Sequence, residues 1–266
     1  MGFDRRSFTE LLATRRFGRT LLVREQTGST NDDAWDALGE GLGDGVVVVA
    51  DRQASGRGRA GRRWEHGEGC GLALSIALHL GCDLRQAGRI PLGAGLALAQ
   101  AAARLGVDPR LKWPNDVLVA GRKLAGVLCE VRRLAQGGDA VVIGVGVNVR
   151  HTLDDFPAEL RGTATSFRVA GVETTPEAVA AEFLAALERL WPELQERDGA
   201  RVLDAWCARA AFWGDTVTVR TPSGPVTGVA QRLDHEGGLV LRLESGTEFL
   251  VLAGDLEPTL ESPEAS

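Results

Sequence analysis

The order of the apolar segments limits the fold of this chain more than any other feature of its sequence. Long apolar runs predict buried strands at 45–52, 71–80 and 139–150. An alanine- and leucine-rich helix ends at Gly106, and a break at 114–116 precedes two strands joined near Ala120 and Gly121. Because this hairpin-rich order departs from regular βαβ alternation, it predicts a mixed α+β sheet rather than a doubly wound one.

The pattern of predicted secondary structure changes near residue 213, from helices to short strands. Before it, an amphipathic helix begins after Thr175 with Pro176 at its first position, and a second helix follows. After it, short strands alternate with Ser-Gly and Gly-Gly turns, which is typical of a small β-barrel. We therefore predict a main domain over 1–212, a C-terminal β domain over 213–260 and a tail over 261–266.

Composition excludes several classes of protein. The chain has 266 residues, 44% of them hydrophobic, and a net charge of −6, which disfavours general nucleic-acid binding. The four cysteines form no C-x-x-C pair and no histidine lies at metal-ligand spacing from them, so we expect buried thiols. The first residues lack an apolar signal-peptide region and no apolar run is long enough to span a bilayer. These features predict a cytoplasmic protein.

Residues 55–64 read "SGRGRAGRRW", a glycine-rich stretch with four arginines. Its G-x-G-x-x-G spacing matches a dinucleotide-binding loop, but five residues separate it from the strand that ends at Ala50, and no apolar helix follows. A nucleic-acid patch and a solvated charged loop are the other interpretations. Glycines let the backbone approach a ligand closely, and Arg57 and Arg59 can fork onto a phosphate or carboxylate. The loop therefore favours an anion clamp.

The motif "GVGVNV" predicts two different faces of one strand. Gly144, Gly146 and Asn148 share one face, and Val145, Val147 and Val149 share the other. The valines are expected in the core. The missing side chains at 144 and 146 leave a shallow slot that suits a flat ring, although close packing of a helix explains the glycines as well.

Several motifs together resemble those of biotin–protein ligases. They are "GSTN" (28–31), "RQASGRGRAGRRW" (52–64), "LKWPNDV" (111–117), "GRKLAGVLCE" (121–130) and "GVGVNV" (144–149), in the family's order and approximate spacing. The resemblance covers about residues 20–258. It implies a mixed-sheet catalytic domain similar to class II aminoacyl-tRNA synthetases, followed by an SH3-like barrel. It further implies that ATP and Mg²⁺ activate biotin as biotinyl-5′-AMP, from which biotin passes to a lysine of a biotin carboxyl carrier protein.

The resemblance also implies roles for individual residues. For biotin it implies Ser29, Thr30, Asn31, Gln53, Gly56, Arg57, Gly58, Arg59, Lys123 and Gly126. For ATP and the adenylate it implies Arg59, Arg62, Trp64, Lys112, Asn115 and Asn148. The catalytic charges would come from Lys123, Arg57, Arg59 and Lys112, which oppose repulsion between the two anionic substrates. Asp116 would hold Mg²⁺ or orient Lys112.

Two alternatives and several expectations about partners remain open at this point. A lipoate-type ligase of the same fold and a non-catalytic biotin-binding module both share parts of this pattern. About 24 residues precede "EQTGSTND", too few for the DNA-binding domain of some family members, so we expect no DNA partner and no repressor role. Family analogy allows a homodimer through a sheet edge. Ala60 stands where relatives can carry another basic residue.

Overall fold

The computed structural model describes residues 2–64, 69–81, 87–135, 137–196 and 199–257. The end of the predicted β domain and the predicted tail, residues 258–266, lie outside this range. No helix in the described ranges has the length and apolar character needed to cross a membrane.

A seven-stranded mixed sheet forms the centre of the main domain. Its strands are β1 (Leu21–Arg24), β2 (Val46–Ala50), β3 (Gly71–Leu80), β4 (Pro109–Lys112), β5 (Asp116–Val119), β6 (Arg122–Arg133) and β7 (Asp139–Asn148). Their order is β1-β2-β3-β7-β6-β5-β4. The pair β1–β2 is parallel, whereas the other neighbours are antiparallel. The predicted mixed α+β sheet is confirmed.

Five helices cover the two faces of this sheet. They are α1 (Arg5–Leu11), α2 (Thr30–Gly39), α3 (Arg89–Arg104), α4 (Pro176–Leu194) and α5 (Ala200–Cys207). The helix α2 connects the two parallel strands and packs on one face, where Trp35 lies with Ala140 and Val142 of β7. The opposite face of β7, including Val145 and Val147, belongs to the larger core formed with α3 and α4. The predicted burial of these valines is confirmed.

A second, antiparallel sheet of five strands lies towards the C-terminus. Its strands are β8 (Thr216–Thr221), β9 (Gly224–Leu233), β10 (Leu239–Arg242), β11 (Glu248–Val251) and β12 (Asp255–Leu256), in the order β11-β10-β9-β8-β12. The expected small C-terminal β unit is confirmed. The predicted boundary at residue 212 falls between α5 and β8, and the independence of the two units stays a prediction.

One buried hydrogen bond joins the two sheets. Trp113, which follows β4, is 2% exposed, and its Nε1 donates to the carbonyl oxygen of Gly237 at 3.1 Å. Gly237 itself lies against α3, since a Cβ added there would stand 2.7 Å from Leu92 Cδ1. The turn between β9 and β10 is therefore seated on the main domain without room for a side chain.

We predict that Trp113→Phe lowers the free energy of unfolding by about 1 to 3 kcal/mol, because the buried Gly237 carbonyl loses its donor while most of the ring packing remains. Urea denaturation followed by circular dichroism measures the change. An unchanged midpoint at an unchanged slope would contradict this account of the contact between the sheets.

Candidate active site

A buried polar cluster lies where α2 begins. The backbone N–H of Thr30 donates to Gln53 Oε1 at 2.9 Å, and Thr30 Oγ1 lies 3.2 Å from the same oxygen. Ser75 Oγ, on β3, lies 2.7 Å from Thr30 Oγ1 and 2.6 Å from Asn31 Oδ1. Ser29 occupies the N-cap position of α2, but its side chain makes no capping bond. Gln53 therefore accepts the first backbone N–H of the helix, and the Ser29 hydroxyl does not cap it.

The glycines of β7 form the floor beside this cluster. A Cβ added at Gly144 would stand 2.2 Å from Asn31 Oδ1, and one added at Gly146 would stand 2.2 Å from Trp64 Cε2. The register places Gly146 between Ala73 of β3 and Gly126 of β6, so a row of small residues crosses three strands. The shared face predicted from the sequence is confirmed, and Asn31 and Trp64 lie on it.

Two buried donors on this floor lack partners. Within the described residues, Asn31 Nδ2 and Trp64 Nε1 are both buried without a hydrogen-bond acceptor. Leaving a buried N–H unpaired is costly, and such groups in a cleft commonly mark a ligand position. The floor therefore offers two donors to a flat molecule with acceptor atoms.

Residues 55–64, here named the arginine loop, form a short hairpin over this floor. Gly58 N donates to Arg62 O at 2.7 Å, and Trp64 N donates to Gly56 O at 3.0 Å. A side chain at Gly56 would stand 2.3 Å from the carbonyl oxygen of Trp64. The hairpin therefore depends on glycine at that position.

Arg57 is bound by two carboxylates. Its Nη1 and Nη2 donate to the two carboxylate oxygens of Asp32 at 2.6 and 2.7 Å, and Nη2 also donates to Glu130 Oε1 at 3.2 Å. The hydrogen bonds from Arg57 hold the pKa of Asp32 below its ordinary value. The guanidinium is directed to α2 and β6 rather than into the space above the floor.

Arg59 and Arg62, further along the arginine loop, contact the C-terminal sheet. Arg62 Nη2 lies 2.8 Å from Asp255 Oδ1, and Arg59 Nη1 lies 3.6 Å from the same oxygen. Arg59 Nη1 also donates to Asn115 Oδ1 at 3.4 Å. Burial lowers the pKa of Arg59, although an arginine keeps its charge at any ordinary pH. These two cations share one carboxylate.

Two lysines and a carboxylate complete the cation cluster. Lys123 Nζ lies 2.6 Å from Asp116 Oδ1 and 5.8 Å from the ring centre of Trp64. Gly126 makes room for Lys123, since a Cβ there would stand 3.3 Å from Nζ. Lys112, on β4, is half-buried, and desolvation lowers its pKa while Asp116 opposes that shift.

Both predicted asparagines donate side-chain hydrogen bonds to backbone carbonyl oxygens. Asn115 Nδ2 donates to Val127 O at 2.6 Å, and Asn148 Nδ2 donates to Thr165 O at 2.9 Å. Asn148 therefore fixes the segment that pairs with Lys123, whose N–H donates to Thr163 O at 2.7 Å. Their predicted contacts with a nucleotide stay predictions.

Five of the predicted site residues, all in the arginine loop, line one cavity: Gly56, Arg57, Gly58, Arg59 and Arg62. A cavity of about 680 Å³ is lined by the arginine loop, Leu128 and Glu130. Another depression, of about 720 Å³, lies near Glu188 and Trp191 and is lined by none of the predicted residues. We assign the site to the first because the predicted arginines Arg57, Arg59 and Arg62 line it.

Sequence reasoning missed four residues of this site. They are Asp32, Ser75, Glu130 and Asp255. Ser75 left a signal, because it is the one hydroxyl within the apolar run "GLALSIALHL". The lysine content is a stronger signal: of the 30 Lys and Arg residues only two are lysines, Lys112 and Lys123, and both lie in the cluster. A chain that uses arginine everywhere else places its two compact ammonium groups together here.

Asp116 is the residue predicted to hold Mg²⁺ or to orient Lys112. The described ranges contain no group of three or more His, Cys, Asp or Glu side chains that could hold a metal ion. Asp116 contacts Lys123 instead. Mg²⁺ commonly takes one carboxylate together with substrate phosphates, so the predicted role of Asp116 stays a prediction for the ion that ATP carries.

The comparisons with known proteins agree with this arrangement. Residues 23–148 match the model of the biotin/lipoate A/B protein ligase family, and 212–257 match that of the biotin protein ligase C-terminal domain. The chain is 36% identical over 262 residues to a biotin–[acetyl-CoA-carboxylase] ligase of Mycobacterium tuberculosis, covering 95% of this chain and 94% of that protein. It is 32% identical to the bifunctional ligase/repressor BirA of Bacillus spizizenii, covering 92% of this chain and 76% of that protein.

Among solved structures, the biotin protein ligase from Aquifex aeolicus in complex with biotin and ATP has a similar fold. Its TM-score is 0.74 at 27% sequence identity, covering 90% of this chain and 98% of that chain. The domain matches, the relatives and the shared fold lead to one conclusion: this chain belongs to the biotin protein ligase family.

Proposed function

We propose that this chain is an ATP-dependent ligase that activates biotin as biotinyl-5′-AMP and transfers it to a lysine of a biotin carboxyl carrier protein. One observation carries the proposal. Arg59, Arg62 and the two lysines gather beside a cleft floored by small residues, on which the buried donors Asn31 Nδ2 and Trp64 Nε1 have no acceptor among the described residues. Such a cleft suits a polar ring joined to a negatively charged nucleotide.

The neutral end of biotin belongs at the start of α2. A cyclic urea has one carbonyl acceptor and two N–H donors, and the cluster of Thr30, Asn31, Gln53 and Ser75 offers both kinds of group. Asn31 Nδ2 supplies a free donor among the described residues. The apolar floor beside it accepts the ring of the vitamin without a hydration cost.

The charged end requires neutralisation before the substrates can react. Biotin's carboxylate and the phosphates of ATP repel each other, and the half-buried cations Arg59 and Lys112 reduce that repulsion in a site with little water. Arg62 and Lys123 extend the positive surface on either side. We assign these four side chains to the phosphates and to the reacting carboxylate.

The reaction then proceeds in two steps. A carboxylate oxygen of biotin attacks the α-phosphorus of Mg–ATP, a new O–P bond forms, and pyrophosphate leaves with the electrons of the broken P–O bond. The neutral amine of the acceptor lysine next attacks the acyl carbon, AMP leaves, and the amine loses a proton. Lys123 is assigned to polarise the acyl carbonyl, with Asp116 fixing its position at 2.6 Å.

Purified protein tests the proposal directly. With biotin and Mg–ATP we expect release of pyrophosphate and an enzyme-bound mixed anhydride detectable by mass spectrometry, and Lys123→Ala slows its formation roughly 100-fold. Arg110→Ala, which changes an exposed cation on β4, is the control. Turnover with lipoate in place of biotin would favour the lipoate-ligase alternative, and biotin binding without pyrophosphate release would favour a binding module.

Gly144→Ala tests the assignment of the biotin end. The added methyl group must displace Asn31, so the dissociation constant for biotin is expected to rise roughly 10-fold. Isothermal titration measures it. Gly39→Ala is the matched control, because a Cβ there meets nothing within 4 Å. Equal affinities of the two variants would remove Asn31 from the biotin site.

The lowered pKa of Lys112 predicts that the rate of adenylate formation falls at alkaline pH. Because burial favours the neutral amine, Lys112 loses its charge at a lower pH than an ordinary lysine. The value of kcat/KM for ATP, which reports the free enzyme, should therefore decline as pH rises through this lowered pKa. Lys112→Arg keeps its charge and should move the decline to higher pH, whatever its absolute rate. Identical pH profiles would exclude Lys112 from phosphate binding.

A further inference from the structure

The arginine that begins the loop is held differently from those that follow it. Arg57 forms a two-pronged pair with Asp32 and a third bond to Glu130, both on the main sheet domain. Arg59 and Arg62 instead share the single carboxylate of Asp255. Two carboxylates around one guanidinium leave that group with no positive charge to offer an anion, whereas two guanidiniums around one carboxylate leave a charge in excess.

The two carboxylates that hold Arg57 stand on the elements that build the cleft. Asp32 lies in the first turn of α2, two residues after Thr30. Glu130 lies on β6, the strand that also carries Lys123 and Gly126. A single side chain therefore ties the arginine loop to the polar cluster on one side and to the lysine strand on the other.

Glu130 is itself fixed by a buried neighbour. Its Oε2 accepts a hydrogen bond from Trp35 Nε1 at 3.1 Å, and Trp35 is 7% exposed in the core beneath α2. Arg132 lies over the same indole at 4.5 Å from its centre. The Glu130 side of the contact is thus held in place by the core, whereas Asp32, whose side chain is about half exposed, is placed by α2 and by its two bonds to Arg57.

On this basis we propose that Asp32 and Glu130 are positioning residues, and that Arg57 anchors the arginine loop instead of binding the reacting anions. The inference rests on the proposed function for its catalytic consequence. Arg59 and Arg62 then neutralise charge, and Arg57 sets where they stand. In this division of roles, removing the anchor loosens the loop over the adenylate without removing a ligand of the phosphate.

A double-mutant cycle tests the anchor through the rate at which preformed biotinyl adenylate dissociates. Asp32→Asn and Arg57→Gln are each expected to raise that rate roughly 10-fold. The double variant should dissociate no faster than Arg57→Gln alone, because both changes break the same contact. When Arg59→Ala is combined with Asp32→Asn, the two increases in dissociation rate should instead multiply, because the two changes break different contacts. Glu130→Gln should act in the same direction as Asp32→Asn.

The outcomes separate the two roles of Arg57. If Arg57 binds the anion directly, Asp32→Asn frees its guanidinium and slows dissociation or leaves it unchanged, and the effects of the cycle multiply. Either result would overturn the proposal. Asp33→Asn is the matched control, since it removes a carboxylate from the same helical turn whose partners are Thr27 and Arg24. We expect it to dissociate adenylate at the rate of the unaltered protein.

Hydrogen exchange in the ligand-free protein gives a readout that needs no activity. The amides of Gly58 and Trp64 close the hairpin, and Asp32→Asn should speed their exchange severalfold. Unchanged exchange would refute the anchor even if the protein made no adenylate. Faster exchange with an unchanged dissociation rate would refute the positioning role alone. Absence of adenylate in the unaltered protein would instead refute the proposed function.

Discussion

The alternation of side chains along β7 is the constraint on which the site depends. On one face, Ala140 and Val142 pack beneath α2, and the same face continues into Gly144 and Gly146, where Asn31 and Trp64 take the space that side chains would fill. Because the period of a strand is two, one register fixes both the core and the floor of the cleft. A slip of one residue would put valines into the cleft and glycines into the core.

Four of the five cations of the cluster, all but Lys112, lie against carboxylates in the ligand-free protein. Lys123 contacts Asp116, Arg62 contacts Asp255, and Arg57 contacts Asp32 and Glu130. Gathering so many positive charges in one half-buried place would be costly without these carboxylates, because like charges at short range repel strongly where water is scarce. The acidic balance of the whole chain, a net charge of −6, is therefore compatible with a local cluster of cations that its own carboxylates largely compensate.

Much of this arrangement follows from sequence patterns, and the remainder depends on register. The mixed sheet, the two faces of "GVGVNV" and the C-terminal β unit were predictable because periodicity and turn residues are local signals. The partners of Arg57 were not, since Glu130 lies 73 positions away and is brought near by the pairing of β6 with β7. Asp32 lies in the first turn of α2, where an acidic residue is already explained by the helix dipole. Its contact with the loop adds a role that the local pattern does not indicate.

The C-terminal sheet is connected to the chemistry of the cleft by two contacts. Asp255 reaches Arg59 and Arg62 of the arginine loop, and Gly237 accepts the indole N–H of Trp113, the residue directly after Lys112. One contact ties the arginine loop to the C-terminal sheet, and the other ties to that sheet the residue that follows Lys112 at the end of β4. Because both run through residues next to or within the cation cluster, the C-terminal sheet contributes to the geometry of the site as well as to the stability of the fold.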